Sequence, residues 1–201
     1  LKNIRLVKYF HMIKITLIGE ICEDLFIYGK VDRICPEAPV PIFKPEYEKI
    51  NLGMVGNVMN NIKYFLPNSN INIYTQNNKI RKTRLVDIRS NQMIVRIDDG
   101  ENQICDKLIY NDDLEEIIIS SDIIIVSDYN KGFLSDVDLI KIGNNSKISI
   151  LDSKRKLTNE ITSRFTFVKL NELEYKNNNQ LNLENILITL GAKGVMYQNK
   201  I

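Results

Sequence analysis

The sequence has one histidine, His11, in 201 residues, and no tryptophan. A single imidazole leaves no partner for a His-based triad, a zinc cluster or a His-flanked general-base scheme. Cysteine is also scarce. Cys22, Cys35 and Cys105 are an odd number without C-x-x-C spacing, which argues against a disulfide scaffold and for a reducing compartment, the cytoplasm. Charge of one sign is lacking too: Lys plus Arg number 27 against 25 for Asp plus Glu, a net charge of +2. No global field is there to hold nucleic acid or an anionic membrane, so any anionic ligand must be held locally. The most apolar run, Ile117 to Val126, is broken by Ser120, Ser121 and Asp122 and is too short to span a bilayer. The first eleven residues carry Lys2, Arg5 and Lys8 but no small-residue cleavage pattern follows. Residues 1–11 therefore read as an N-terminal extension rather than a signal peptide, with Met12 opening the first convincing strand.

What is present is an ordinary globular composition, 44% hydrophobic and 26% charged, with enough chain to bury a core. Ile13 to Ile18 is rich in β-branched residues and ends at Gly19. Similar short apolar runs follow at Ile71 to Tyr74, Ile123 to Val126, Ile148 to Leu151 and Ile186 to Leu190, which suits a mainly parallel sheet. Between them, Val55 to Leu66, Asp112 to Ile119, Ser135 to Ile142 and a weaker segment from Asn171 have helical period. The alternation predicts an α/β layered fold. Two segments break it: 26–43, with Pro36, Pro39 and Pro41, and 83–98, two extended runs around Arg89-Ser90-Asn91. Both read as a small β appendage.

Polar residues gather where these strands end, the place where open α/β sheets put ligands. Glu20, Glu23 and Asp24 follow the first strand; Asp24 suits substrate hydroxyls, and the alternative is a solvated loop acid. Gly53 and Gly56 allow close backbone approach, and Asn57 both donates and accepts, although a glycine before a helix is often a plain turn. Ser127 to Gly132 follows a strand, and its Lys131 suits phosphate or simply faces water. Asp152 and Lys154 end another strand. Asn171 and Glu174 stand three apart at a helix start, able to organise a hydrated Mg²⁺ or to form a capping box. Thr189 to Gly194 closes a strand with a glycine turn and alone says hairpin. Neither a Walker loop nor a dinucleotide fingerprint is present.

In this order the pieces resemble the ribokinase/PfkB carbohydrate kinase family, most closely its heptose 7-phosphate kinase branch. The segment Val31-Asp32-Arg33-Ile34-Cys35-Pro36-Glu37-Ala38-Pro39-Val40-Pro41 carries the resemblance most specifically, and it extends over about residues 12–201. The resemblance implies an incomplete kinase domain: an α/β fold with a mainly parallel central sheet, truncated at the C-terminus, and a β lid built from 26–43 and 83–98. It implies ATP and Mg²⁺ as cofactors and a sugar phosphate as partner. Asp24, Arg33, Gly53, Gly56 and Asn57 would face the sugar, and Lys131, Lys154, Asn171, Glu174, Thr189 and Gly191 the phosphates and nucleotide, with Glu174 reaching the metal indirectly. Pairing of lids implies a homodimer.

The pattern also departs from the family. The family's catalytic Gly-Ala-Gly-Asp motif does not occur in these 201 residues, so no catalytic residue is assigned. Asp128 is the nearest substitute base. The expectation is sugar binding without turnover, and the alternative is a non-catalytic sugar-binding module or an assembly subunit. Gly19-Glu20 replaces the usual Gly-Asp, Met54 replaces the second glycine of a pair, and the stretch from Tyr74 to Thr83 lacks room for a further helix.

Overall fold

The computed structural model describes residues 12–198 and Lys200; the expected extension 1–11, with His11, lies outside the described residues. In chain order the elements are β1 (Lys14–Gly19), β2 (Ile21–Ile34), β3 (Pro41–Met54), α1 (Val55–Phe65), β4 (Asn70–Tyr74), β5 (Arg81–Asp87), β6 (Met93–Asp99), α2 (Asp112–Ser120), β7 (Ile123–Asp128), α3 (Asp136–Asn145), β8 (Ser149–Ser153), α4 (Asn159–Thr162), β9 (Phe167–Asn171), α5 (Glu172–Asn177), β10 (Ile186–Thr189) and β11 (Val195–Tyr197). Two sheets result, a seven-stranded one in the order β11-β10-β9-β8-β7-β1-β4 and a four-stranded one in the order β3-β2-β5-β6.

The larger sheet is parallel except for β11, which pairs antiparallel with β10. Its main core lies on one face, where Ile18, Ile124, Val126, Leu151, Val168 and Ile188 meet Leu114 and Ile118 of α2, Leu139 and Ile142 of α3 and Ile161 of α4. On the other face Ile15 and Leu17 pack with Val55 against α1, while Ile150, Phe167 and Leu187 are only half-buried. No helix among the described residues is long and apolar enough to cross a membrane.

Three features differ from the sequence reading. Strand β9 lies between β8 and β10 yet escapes a search for continuous apolar runs, because Lys169 interrupts Phe167-Val-Lys-Leu-Asn. Strands β2 and β3 are 14 residues each, so the four-stranded sheet includes 26–43 and 83–98 but begins at Ile21 and continues to Met54 and Asp99. Asp24 consequently stands on a strand and not in a loop. Between Tyr74 and Arg81 the chain forms a short connection without a helix, as the spacing required.

Candidate functional site

Strands β1, β7, β8, β9 and β10 end on one rim of the larger sheet, and β1 has β4 on one side and β7 on the other. This reversal of strand order is where an open α/β sheet leaves a crevice. Glu20 sits in it with no exposed surface, contrary to a solvated loop acid. Its Oε2 accepts the Tyr129 N–H at 2.8 Å and its Oε1 the Lys131 N–H at 2.9 Å. The Glu20 carbonyl accepts the Val55 N–H at 3.0 Å. One buried carboxylate thus fixes the turn after β7 to the end of β1, beside the start of α1.

Asp128 is equally buried and locked from every side. Ser153 Oγ donates to its Oδ2 at 2.5 Å, Arg155 Nε donates to the same oxygen at 2.6 Å, and Asn130 N and Arg155 Nη2 both donate to Oδ1 at 3.0 Å. Asp128, the nearest substitute base in the sequence, thus has both carboxylate oxygens engaged by Arg155, Ser153 and Asn130.

Above the rim the four-stranded sheet turns two unlike faces outward, as strand alternation dictates. One face carries the cross-strand rows Asn51-Asp24-Lys82-Asp98 and Lys49-Phe26-Arg84-Arg96, and the other carries Ile50-Leu25-Thr83-Ile97 and Ile27-Leu85-Val95. The polar face closes over a cleft of about 420 Å³ lined by Asp24, Phe26, Asn51, Gly53, Asn57, Asn60 and Tyr129. Arg84 Nη1 donates to Asp24 Oδ1 at 2.6 Å, and its guanidinium stacks 5.0 Å from the centre of the Phe26 ring. A Cβ on Gly53 would lie 2.5 Å from both Asp24 Oδ2 and Cys22 Sγ, so only glycine admits the carboxylate here. Burial, followed by the charge of Asp24, raises the pKa of the Cys22 thiol.

Not every expected residue reaches this cleft. Arg33 is exposed and nine residues beyond Asp24 on β2, roughly 30 Å along an extended strand. Gly56 faces apolar packing, since a Cβ there would meet Leu52 and Ile21. Glu23 points to the opposite face and pairs with Arg81 at 2.7 Å. Lys131 is not open to solvent but holds Glu101 Oε1 at 2.6 Å, while Lys82 stands 3.3 Å from Glu101 Oε2. The hydrogen bond from Lys131 holds the Glu101 carboxyl below its ordinary range, against its burial.

Along the rim of β8 to β10, Lys154 Nζ donates to Glu174 Oε1 at 3.0 Å and lies 5.1 Å from the centre of the Tyr129 ring. Burial pulls the Lys154 pKa down, but the bond and charge of Glu174 outweigh it and the net direction is up. Burial raises the Tyr129 phenol. Asn171 and Glu174 form the full capping box of α5, with Glu174 N donating to Asn171 Oδ1 at 2.8 Å and Asn171 N to Glu174 Oε2 at 2.7 Å. Both oxygens of Glu174 are therefore committed within the chain, and the described residues contain no group of three or more side chains placed to hold a metal. Beyond β10, Gly191 and Gly194 have φ of +61° and +95° with open space around them, so this turn exposes backbone beside Thr189.

Sequence reasoning missed Lys82, Arg84, Arg96 and Glu101, which reach the site only through strand pairing across some 60 to 80 residues. The alternation of Arg84 and Arg96 with apolar neighbours was the one available signal.

No protein-family model matches the chain. Among curated proteins, the bifunctional protein HldE of Aliarcobacter butzleri strain RM4018 is 28% identical over 235 residues, covering 90% of this chain and 48% of that protein. The bifunctional protein HldE of Helicobacter pylori strain J99 is 34% identical over 154 residues, covering 61% of this chain and 33% of that protein. The chain thus spans less than half the length of these curated relatives. Among solved structures, Arabidopsis thaliana ribokinase complexed with ribose and ATP superposes with a TM-score of 0.58 at 13% identity, covering 94% of this chain and 76% of that one. Escherichia coli phosphofructokinase-2 in complex with fructose-6-phosphate gives a TM-score of 0.58 at 13% identity, covering 94% and 78%. The fold is ribokinase-like, and the resemblance read from the sequence is borne out.

Proposed function

We propose, from the premise that this chain is a ribokinase-fold homologue of proteins named HldE, that it is the sugar-binding part of an ATP-dependent kinase for a heptose phosphate or a similar phosphorylated sugar. The observation that carries this reading is the cleft between Asp24, Asn51, Asn57 and Tyr129 under the polar face of the four-stranded sheet. An ionised carboxylate accepts hydrogen bonds from adjacent sugar hydroxyls, and the amides both donate and accept. The polar face of the four-stranded sheet stands over them, so that sheet is assigned the role of lid. Lys154, Thr189 and Gly191 offer a cation, a hydroxyl and open backbone to the phosphates of ATP at the strand ends. Magnesium would arrive with the nucleotide, and Glu174, with one hydrogen bond on each oxygen, would reach it indirectly while holding Lys154. When bound, ATP supplies the phosphoryl group; positioning and charge neutralisation are the protein's share.

Binding is tested by calorimetry with D-sedoheptulose 7-phosphate. Asp24→Ala should weaken it by about 1.5–3 kcal/mol, the range for hydrogen bonds to a charged group, without unfolding. Unchanged affinity in a folded variant removes Asp24 from the site.

The 201 residues on their own are proposed to bind without transferring phosphate. Asp128 is held by Arg155, Asp152 by Lys169 at 3.1 Å and Glu174 by Lys154 and Asn171, so each of these rim carboxylates already has a partner within the chain. A coupled ADP-release assay should show no sugar-dependent turnover above a sugar-free control. Robust turnover abolished by Asp128→Asn would overturn this. The same reading includes a cytoplasmic location, consistent with three free cysteines, and a homodimer through the apolar face of the lid, where Ile50 is 53% and Ile97 52% exposed.

A further inference from the structure

We infer that the Glu101 carboxylate is a resident counter-ion: it occupies an anion seat between Lys82 and Lys131 that the phosphate group of an incoming sugar phosphate takes over. The inference rests on the sugar-phosphate reading and names how that site receives the charged end of its ligand.

The seat is assembled from three separate pieces of chain. Lys82 is on β5 and stands in register with Asp24. Lys131 is two residues beyond Tyr129, in the turn that Glu20 fixes. Asp24 and Tyr129 line the cleft, so each lysine lies next to a lining residue, Lys82 on the lid and Lys131 on the main body. Glu101 lies in the turn after β6 and joins them, 2.6 Å from Lys131 and 3.3 Å from Lys82. The side chains of Lys82 and Lys131 are only 15% and 14% exposed. The two shielded ammonium groups share one carboxylate in direct contact, and Asp24 and Asp98 stand in register on either side of Lys82, so a ligand anion competes with Glu101 for two cations already gathered at one place.

Glu101 also fits its place poorly. Its Oε2 is shut away from solvent and makes no hydrogen bond, although the ion pair to Lys82 lies on that side. A buried acceptor served only by a long ion pair keeps part of its desolvation cost. A phosphate monoester brings three acceptor oxygens and close to two negative charges, enough to satisfy both lysines and balance the seat. The carboxylate can leave without dismantling the fold. Gly100 anchors the turn at φ +72°, packed so closely that a Cβ would lie 2.4 Å from the Lys79 carbonyl, whereas the Glu101 side chain is held by the two lysines. Displacing it would replace the tie between lid and body by one that runs through the ligand.

The test uses the 201-residue chain and titration calorimetry with inorganic phosphate, D-sedoheptulose 7-phosphate and unphosphorylated sedoheptulose. Glu101→Gln removes the competing charge at nearly constant shape. It should tighten inorganic phosphate about tenfold, as expected for freeing charge-assisted contacts, and leave sedoheptulose unchanged. Adding Lys82→Met should cancel the gain. Lys131→Met alone should weaken phosphate binding, which keeps the test decisive if Glu101→Gln does not fold. Equal or weaker phosphate binding by a folded Glu101→Gln protein, or unchanged binding by Lys131→Met, overturns the inference. If inorganic phosphate gains while the sugar phosphate binds no tighter than phosphate itself, the seat stands and the sugar reading falls. If the sugar phosphate binds well and is indifferent to Glu101, the sugar reading stands and the seat falls.

Discussion

In the seven-stranded sheet, alternate residues of β7 to β10 are sealed beneath α2, α3 and α4, and the rim they define carries carboxylates already neutralised by Arg155, Lys169 and Lys154. The four-stranded sheet is the reverse. Most of β3 and β6 is exposed, and the face that looks into the cleft carries Asp24, Lys82, Arg84, Arg96 and Asp98. The first sheet holds its shape through apolar packing and the buried Arg155–Asp128 pair, whereas the second presents a charged face to the cleft.

The sharpest way to break that comparison is Asp128→Ala, which leaves Arg155 buried without its main partner. A loss of about 3–5 kcal/mol is expected for breaking a buried pair, read from denaturant midpoints. A loss comparable to that of a surface substitution would show that the rim is not rigid. Next come two neighbours on opposite faces of β8. Leu151→Ala, fully buried, should cost about 2–5 kcal/mol, and Ile150→Ala, half-buried on the face that carries Ile15 and Leu17, closer to about 1 kcal/mol. Equal costs would mean that the second face is as well covered as the first. The smallest effect on stability belongs to Ile97→Lys on the apolar face of the lid, within about 0.5 kcal/mol for the monomer. Sedimentation equilibrium should nevertheless show the proposed dimer dissociating; an unchanged mass would move the interface elsewhere.

Much of the fold is legible because parallel strands are written as short β-branched runs and their connections as helical periods. Ile15 and Leu17, Ile124 and Val126 and Leu151 were all in runs that the sequence marks as strands. Strand β9 is not legible in that way, since Lys169 pairs with Asp152 instead of adding to an apolar run. Lys44 to Lys49 hides for a related reason: a strand exposed on both sides needs no apolar residues. Of the site, Asp24, Gly53 and Asn57 could be named in advance from their places after β1 and before α1. Their supporting residues could not. Arg84 meets Asp24 only once β5 pairs in parallel with β2, and Lys82 meets Lys131 only through Glu101.

The sequence by itself determined most of the strands and helices, that one imidazole and three unpaired thiols exclude whole classes of chemistry, and that polar residues gather at strand ends. These follow from local periodicity and composition, which act over a few residues. Tertiary structure alone decided what each acid faces. Glu20, Asp24 and Asp128 look alike as residues near strand ends, yet Glu20 becomes a staple, Asp128 is locked by an arginine 27 residues away, and Asp24 faces an open cleft. The reason is that a carboxylate's behaviour is set by the donors and charges packed around it, and here those arrive from strands and turns that only the folded chain brings together.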